Sequence, residues 1–226
     1  MKTILAPKIY ICLISFIFCF FQMACSDSNL EPIVVDPDTE DPMEDPADDD
    51  AMDDPEISDN PVLRINCGGE EVSYGDIVFT VDDFFTGDTE GFDNLEIPDI
   101  LETEMDSIYV TERISSAALG NFEYKIPITN GTYKLRLHFA EIFWGAPGGD
   151  AGSSDSRVFD VDVEGEVVLN DFDIFAKVGA VTATVEEFVV MVEDQELNIK
   201  FTASTDRPKI SAIEVLGDGQ ILTTGG

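Results

Sequence analysis

FEYKIPITNGTYKLRLHF, residues 122–139, decides the fold class. Phe122, Tyr124, Ile126 and Ile128 alternate with polar residues, and after Asn130-Gly131 the alternation resumes at Tyr133, Leu135, Leu137 and Phe139. Period two over this length is the mark of half-buried β-strands. Asn-Gly between two such runs predicts a tight hairpin, because both turn positions favour positive φ. A third run follows, with Phe159, Val161 and Val163 on one face and Asp160, Asp162 and Glu164 on the other. The polar face of the second run carries Lys134, Arg136 and His138. If the second and third runs are neighbours, basic side chains meet acidic ones on the sheet's outer side. His138 is then a surface residue.

Further short runs surround this block. Residues 63–66 alternate before Gly68-Gly69, 77–85 are apolar enough for a strand, and 108–113 form another. Residues 167–169 return after a turn at Gly165, 185–192 read as a buried strand, and Leu197, Ile199 and Phe201 alternate. Residues 210–216 close the series, while 88–104 read as irregular and acidic. Helical periodicity is missing from every window of useful length. Residues 145–156, GAPGGDAGSSDS, read as a loop with no apolar anchor. Many short strands with Gly- and Asp-rich turns predict an all-β, jelly-roll-like β-sandwich over residues 62–218, with 219–226 as a tail. Roughly 155 residues bury a real core without cross-links.

The residues before this domain have a different character. Lys2 and Lys8 precede an apolar run over 9–21, which is too short for a comfortable span but suits a signal-peptide core. Ala24 before Cys25 resembles a bacterial lipoprotein cleavage site, which implies a signal peptide over 1–24 and lipidation at Cys25. The alternative is an ordinary signal peptide cut nearby. Residues 25–61 repeat Asp-Pro and contain no Lys or Arg. Self-repulsion and proline predict a disordered acidic linker, with a reach of order 100 Å at about 3.3 Å per residue. Lipid at one end and a domain at the other make a stalk on the cell envelope. The expected setting is the outer membrane of a Gram-negative bacterium, with envelope proteins among the expected partners.

The chain holds 47 acidic against 12 basic residues, a formal charge of −35. That excess argues against nucleic acid and anionic membrane surfaces as partners, so lipid at Cys25 is the only expected membrane contact. Cys12 and Cys19 leave with the signal, and Cys67 is left as a small buried residue. No zinc constellation, EF-hand spacing, Ser-His-Asp or Cys-His pattern is present, and no cofactor or metal is implied.

The strings Phe139-Ala140-Glu141, Phe143-Trp144, Val158 to Val163 with Gly165, and Asp171 to Phe175 occur in order. Ile65-Asn66-Cys67-Gly68-Gly69 and Thr111-Glu112-Arg113 flank them. Together they resemble a malectin domain, a carbohydrate-binding β-sandwich, over roughly residues 63–216. The resemblance implies that Phe143 and Trp144 contact a sugar and that Asp206, in an Asp-x-Pro-Lys loop, bonds its hydroxyls. It also implies a ring near Phe92, whereas Ile114 stands where an aromatic would be expected. Asp171 and Asp173 are expected to bond nearby backbone amides.

Chemistry supports the same residues. A flat ring packs on the apolar face of a pyranose, and carboxylates then fix its hydroxyls. Against this stand plainer roles: one of Phe143 and Trp144 as core, Phe92 as a loop anchor and Asp206 as a turn former. The expected function is non-catalytic binding of an oligosaccharide or glycan. The alternatives are a structural or adhesin module for protein partners, or a glycoside hydrolase using two carboxylates.

Overall fold

The computed structural model describes residues 57–223. The signal segment 1–24, Cys25 and linker residues 26–56 lie outside the described residues. Fourteen strands and one short helix are described, grouped into two main sheets and two small ones.

The first main sheet has the order β1 (Pro61–Asn66), β14 (Ala212–Leu216), β8 (Gly131–Phe139), β11 (Thr184–Val192). The second runs β10 (Glu166–Phe172), β9 (Val158–Val163), β12 (Glu196–Thr205), β7 (Asn121–Pro127), β4 (Phe85–Gly87). Both are antiparallel throughout. They enclose one core, in which Phe139 of the first sheet meets Phe159 and Phe172 of the second at centroid distances of 5.9 and 5.0 Å. Each fully buried side chain of this kind contributes about 1.5–3 kcal/mol. The architecture is the expected β-sandwich.

The expected hairpin at Asn130-Gly131 does not form. The two runs on either side of it, β7 and β8, lie in opposite sheets and face one another across the core. Alternation fixes which side chains point inward but not which strand is the neighbour. All eight apolar residues of the two runs are buried as expected. Asn130 keeps negative φ and uses its amide elsewhere. Its Nδ2 donates to Glu193 O at 2.6 Å, and its Oδ1 accepts from Gln195 N at 2.8 Å. Residues 193–195 carry the chain from β11 to β12, which is the same crossing between sheets. Asn130 thus staples two parallel arches. The genuine tight turn is Glu164-Gly165 between β9 and β10, with φ of 54° and 82°.

Because β8 and β9 are in different sheets, the expected cross-strand charge pairing does not occur. Lys134 bonds Asp59 at 2.5 Å, and Arg136 bonds Glu187 at 2.7 Å. His138 is buried rather than exposed, because the chain between β1 and β6 (Thr111–Ser115) covers that end of the sheet. Phe79 and Tyr109 pack on its ring, Tyr109 Oη lies 2.8 Å from Nδ1, and Glu214 Oε1 lies 3.0 Å from Nε2. This cover includes the ribbon β2 (Val72–Tyr74) and β3 (Ile77–Phe79) and a 3-10 turn at Asp106–Ile108. The expected strand over 77–85 is therefore split between β3 and β4, and the strand expected at 108–113 begins only at Thr111.

Other expectations shift in smaller ways. The strand over 185–192 is a sheet edge, with Val189 66% and Met191 62% exposed, rather than buried. One helix, α1 (Ile174–Val178), exists where no periodicity was legible, because five residues are too few to show it. Asp173 caps it, accepting from Ala176 N at 2.9 Å and from Asp155 N at 2.6 Å. Asp171 instead accepts from the Asn170 side chain at 2.8 Å. Cys67 is fully buried, and burial pushes its thiol pKa up. The region read as irregular contains β5 (Thr89–Asp93), which pairs with β6; β6 in turn pairs with β13 (Lys209–Ile210). This three-stranded sheet builds the site.

Candidate carbohydrate-binding site

Register places Glu90 opposite Ile114 and Phe92 opposite Glu112, with Lys209 opposite Ile114 on the far side. Side chains alternate along a strand, so Glu90, Phe92, Glu112, Ile114 and Lys209 share one face. That face is the floor of a depression of about 520 Å³, within the ordinary range for ligand sites. Its walls come from three connections. Phe143 and Trp144 follow β8, Arg157 immediately precedes β9, and Asp206-Arg207 join β12 to β13.

The structure brings Phe92, Phe143, Trp144 and Asp206 to this one depression. Phe143 and Trp144 lie after the strand rather than in it, so both rings are half-buried on the same side. They meet edge to face at 5.0 Å, and Phe143 meets Phe92 edge to face at 6.2 Å. The result is a continuous strip of three rings. Phe92 also packs on the second apolar cluster, so it serves as an anchor as well. Ile114 lies in the floor and contributes an apolar surface without a ring.

Trp144 Nε1 donates to Asp206 Oδ2 at 3.0 Å, linking residues 62 positions apart. Asp206 sits at φ 56°, a left-handed conformation that Asp tolerates better than most residues. Leu119 N donates to its carbonyl at 2.6 Å and fixes that loop.

Beneath the rings lies a charged layer that the sequence did not disclose. Glu141 accepts from the backbone N–H of Phe143 and of Trp144, each at 3.0 Å. Arg157 Nε donates to Glu141 Oε2 at 2.8 Å, and its Nη1 reaches Arg207 O at 2.6 Å and Asp206 Oδ2 at 3.2 Å. Arg157 is 2% exposed and therefore joins the aromatic pair to the Asp206 loop from inside. Burial alone would raise the Glu141 carboxyl pKa, but the charges of Arg157 and Lys209 and the amide bonds hold it below its usual range.

Glu112 is different. Lys209 ion-pairs with it and donates to Ala140 O, yet Glu112 Oε1 has no hydrogen-bond partner. Burial is the dominant influence and raises its pKa, against the pull of Lys209 and Arg157. Arg157, Glu112, Glu90 and Asp150 were all missed as lining residues. The signal for Arg157 was its rarity: it is one of 12 basic residues, and it stands directly before a buried strand.

The glycine-rich loop is not free of apolar anchors. Ala146 is buried in the second cluster, and Asn94 Nδ2 donates to Ile142 O at 2.7 Å and Pro147 O at 2.8 Å. The loop folds back on the aromatic pair. A Cβ on Gly149 would lie 1.9 Å from Phe143 O, and one on Gly152 would lie 2.5 Å from the Trp144 carbonyl carbon. Glycine is required at both positions for that approach.

Comparison with known proteins agrees with this architecture. Mouse malectin is 29% identical over 178 residues, covering 71% of this chain and 58% of that protein. Malectin-A of Xenopus laevis is 31% identical over 165 residues, covering 71% of this chain and 56% of that protein. The chain thus spans little more than half the length of these relatives. Among solved structures, the ANXUR1 extracellular domain from Arabidopsis thaliana superposes with a TM-score of 0.59 at 18% identity, over 72% of this chain and 49% of that one. A Bacteroides uniformis β-glucuronidase gives 0.55 at 15% identity, over 69% of this chain and 18% of that one. At such identities these two show the fold alone. The model of the Malectin domain matches residues 61–213, and the chain belongs to the malectin family.

Proposed function

We propose that this domain is a non-catalytic carbohydrate-binding module. The observation that carries the reading is the strip of Phe92, Phe143 and Trp144 ending at a carboxylate, Asp206, in one depression. The rings offer stacking faces for a pyranose. Asp206 commits Oδ2 to Trp144 and Arg157, and its Oδ1 remains for sugar hydroxyls. Family membership supports the same ligand class. A disaccharide has about 23 heavy atoms, and at ~0.3 kcal/mol each its affinity is limited to roughly 10 µM.

The burial of Glu112 speaks against hydrolysis. A general acid needs a raised pKa and contact with the glycosidic oxygen. Glu112 has the raised pKa, but both its oxygens are shut away from solvent beside Lys209. In the chain as a whole, the lipoprotein-like residues around Cys25 and the acidic linker support display on a lipid-anchored stalk at the cell envelope. A glycan array probed with the purified chain tests the binding reading. Retention of defined oligosaccharides supports it, and release of reducing sugar from them would replace it with the hydrolase.

A further inference from the structure

We propose that the depression selects uncharged or cationic glycans and rejects those carrying carboxylate or sulfate groups. This rests on the carbohydrate-binding reading and narrows its ligand class. Anionic sugars are ordinarily held by guanidinium or ammonium groups with donors to spare. None here has an unpaired charge. Arg157 is taken up by Glu141 and Asp206, with a further bond to Arg207 O. Arg207 Nη1 bonds Glu90 Oε1 at 2.8 Å. Lys209 is fully buried against Glu112.

The same holds across the domain. Among the described residues, every Lys and Arg except Lys200 is in an ion pair. Lys200 is exposed on β12, opposite Asp162 and Glu123, away from the residues that line the depression. Among the described residues, Arg207 Nε and Nη2 are the spare donors on a cation at the site, and two carboxylates there keep unspent acceptors. Asp206 Oδ1 has no hydrogen-bond partner among the described residues, and the Asp150 side chain likewise has none. A uronate entering this site meets carboxylates and no cation whose charge is unpaired. Like-charge repulsion at contact distance in a partly buried setting weakens binding by at least about tenfold relative to the uncharged sugar.

The Glu90–Arg207 pair is the one that can change this balance. Its side chains are 54% and 36% exposed, so the pair is weak and removable. Glu90→Gln leaves Arg207 as an unpaired cation on the rim.

The test uses the full chain on an array holding neutral, amino, uronic and sulfated oligosaccharides, with free and methyl-esterified oligogalacturonates as a matched pair. The expected result is retention confined to neutral and amino sugars, with the methyl ester bound at least as well as the free acid. Wild-type protein holding a uronic or sulfated glycan among its tightest ligands would overturn the selectivity and leave carbohydrate binding intact. Retention of no glycan at all would overturn both. Glu90→Gln is expected to raise retention of the free oligogalacturonates at low salt, and an unchanged value would contradict the role given to the pair.

Discussion

Trp144 Nε1 donates to Asp206 Oδ2 at 3.0 Å, so the ring and the carboxylate of the candidate site hold each other in place. A ligand that stacks on the ring therefore meets a carboxylate already oriented. Asp206→Ala removes both the ring's partner and the acceptor for sugar hydroxyls. We expect sugar affinity to fall by roughly 1–3 kcal/mol. Trp144 is the only tryptophan, so its emission spectrum reports the lost hydrogen bond directly. An unshifted spectrum with unchanged affinity would remove Asp206 from the site.

Arg157 is a stability residue as well as a support for the site. It balances Glu141, whose oxygens hold the Phe143 and Trp144 amides. Arg157→Ala leaves a buried carboxylate without its partner and is expected to cost about 3–5 kcal/mol. Urea unfolding measures the loss. Arg157→Lys keeps the charge but loses the forked geometry, and its stability should lie between the two. A loss below 1 kcal/mol in Arg157→Ala would show that the network is dispensable.

The pH dependence has a defined sign at Glu214. Burial would raise its carboxyl pKa, but hydrogen bonds from His138 and Arg64 outweigh burial and bring it to about 2. A depressed folded pKa contributes stability above the unfolded value, near 4.5, and this is lost as pH falls toward 2. Wild type should therefore exceed Glu214→Gln in melting temperature at neutral pH, with the gap narrowing between pH 4.5 and 2. A gap constant over that window would show that the pair carries no linked proton.

The anchor reading has its own test. Cys25→Ala is expected to move the protein from the membrane fraction to the soluble fraction of a Gram-negative host. Wild-type protein already soluble without detergent would contradict lipidation.

The reading of facing was correct where the reading of partners was not. Phe122 to Ile128 and Tyr133 to Phe139 point inward as their alternation requires. The alternation is equally satisfied by two strands side by side or by two strands in opposing sheets. In the structure Asn130 bonds residues 193 and 195 instead of closing a hairpin, and such bonds are invisible in a linear string. His138 shows the same limit, since a polar face reads as exposed until a distant segment covers it. At the candidate site, Phe143, Trp144 and Asp206 were legible through ordered motifs, and Phe92 only through its spacing in the resemblance. Arg157 and Glu112 were not, because a buried charge leaves no periodic trace and acids abound in this chain.

The most direct measurement is a calorimetric titration of wild type and Trp144→Ala with a glycan retained on the array, alongside the melting temperature of each. Wild type should bind with a dissociation constant of roughly 10 µM or weaker. Trp144→Ala should give no detectable heat of binding while its melting temperature moves little, because the ring is only half-buried. Undiminished binding by Trp144→Ala would contradict the assignment of the site, and a collapse of its melting temperature would make the ring a core residue instead.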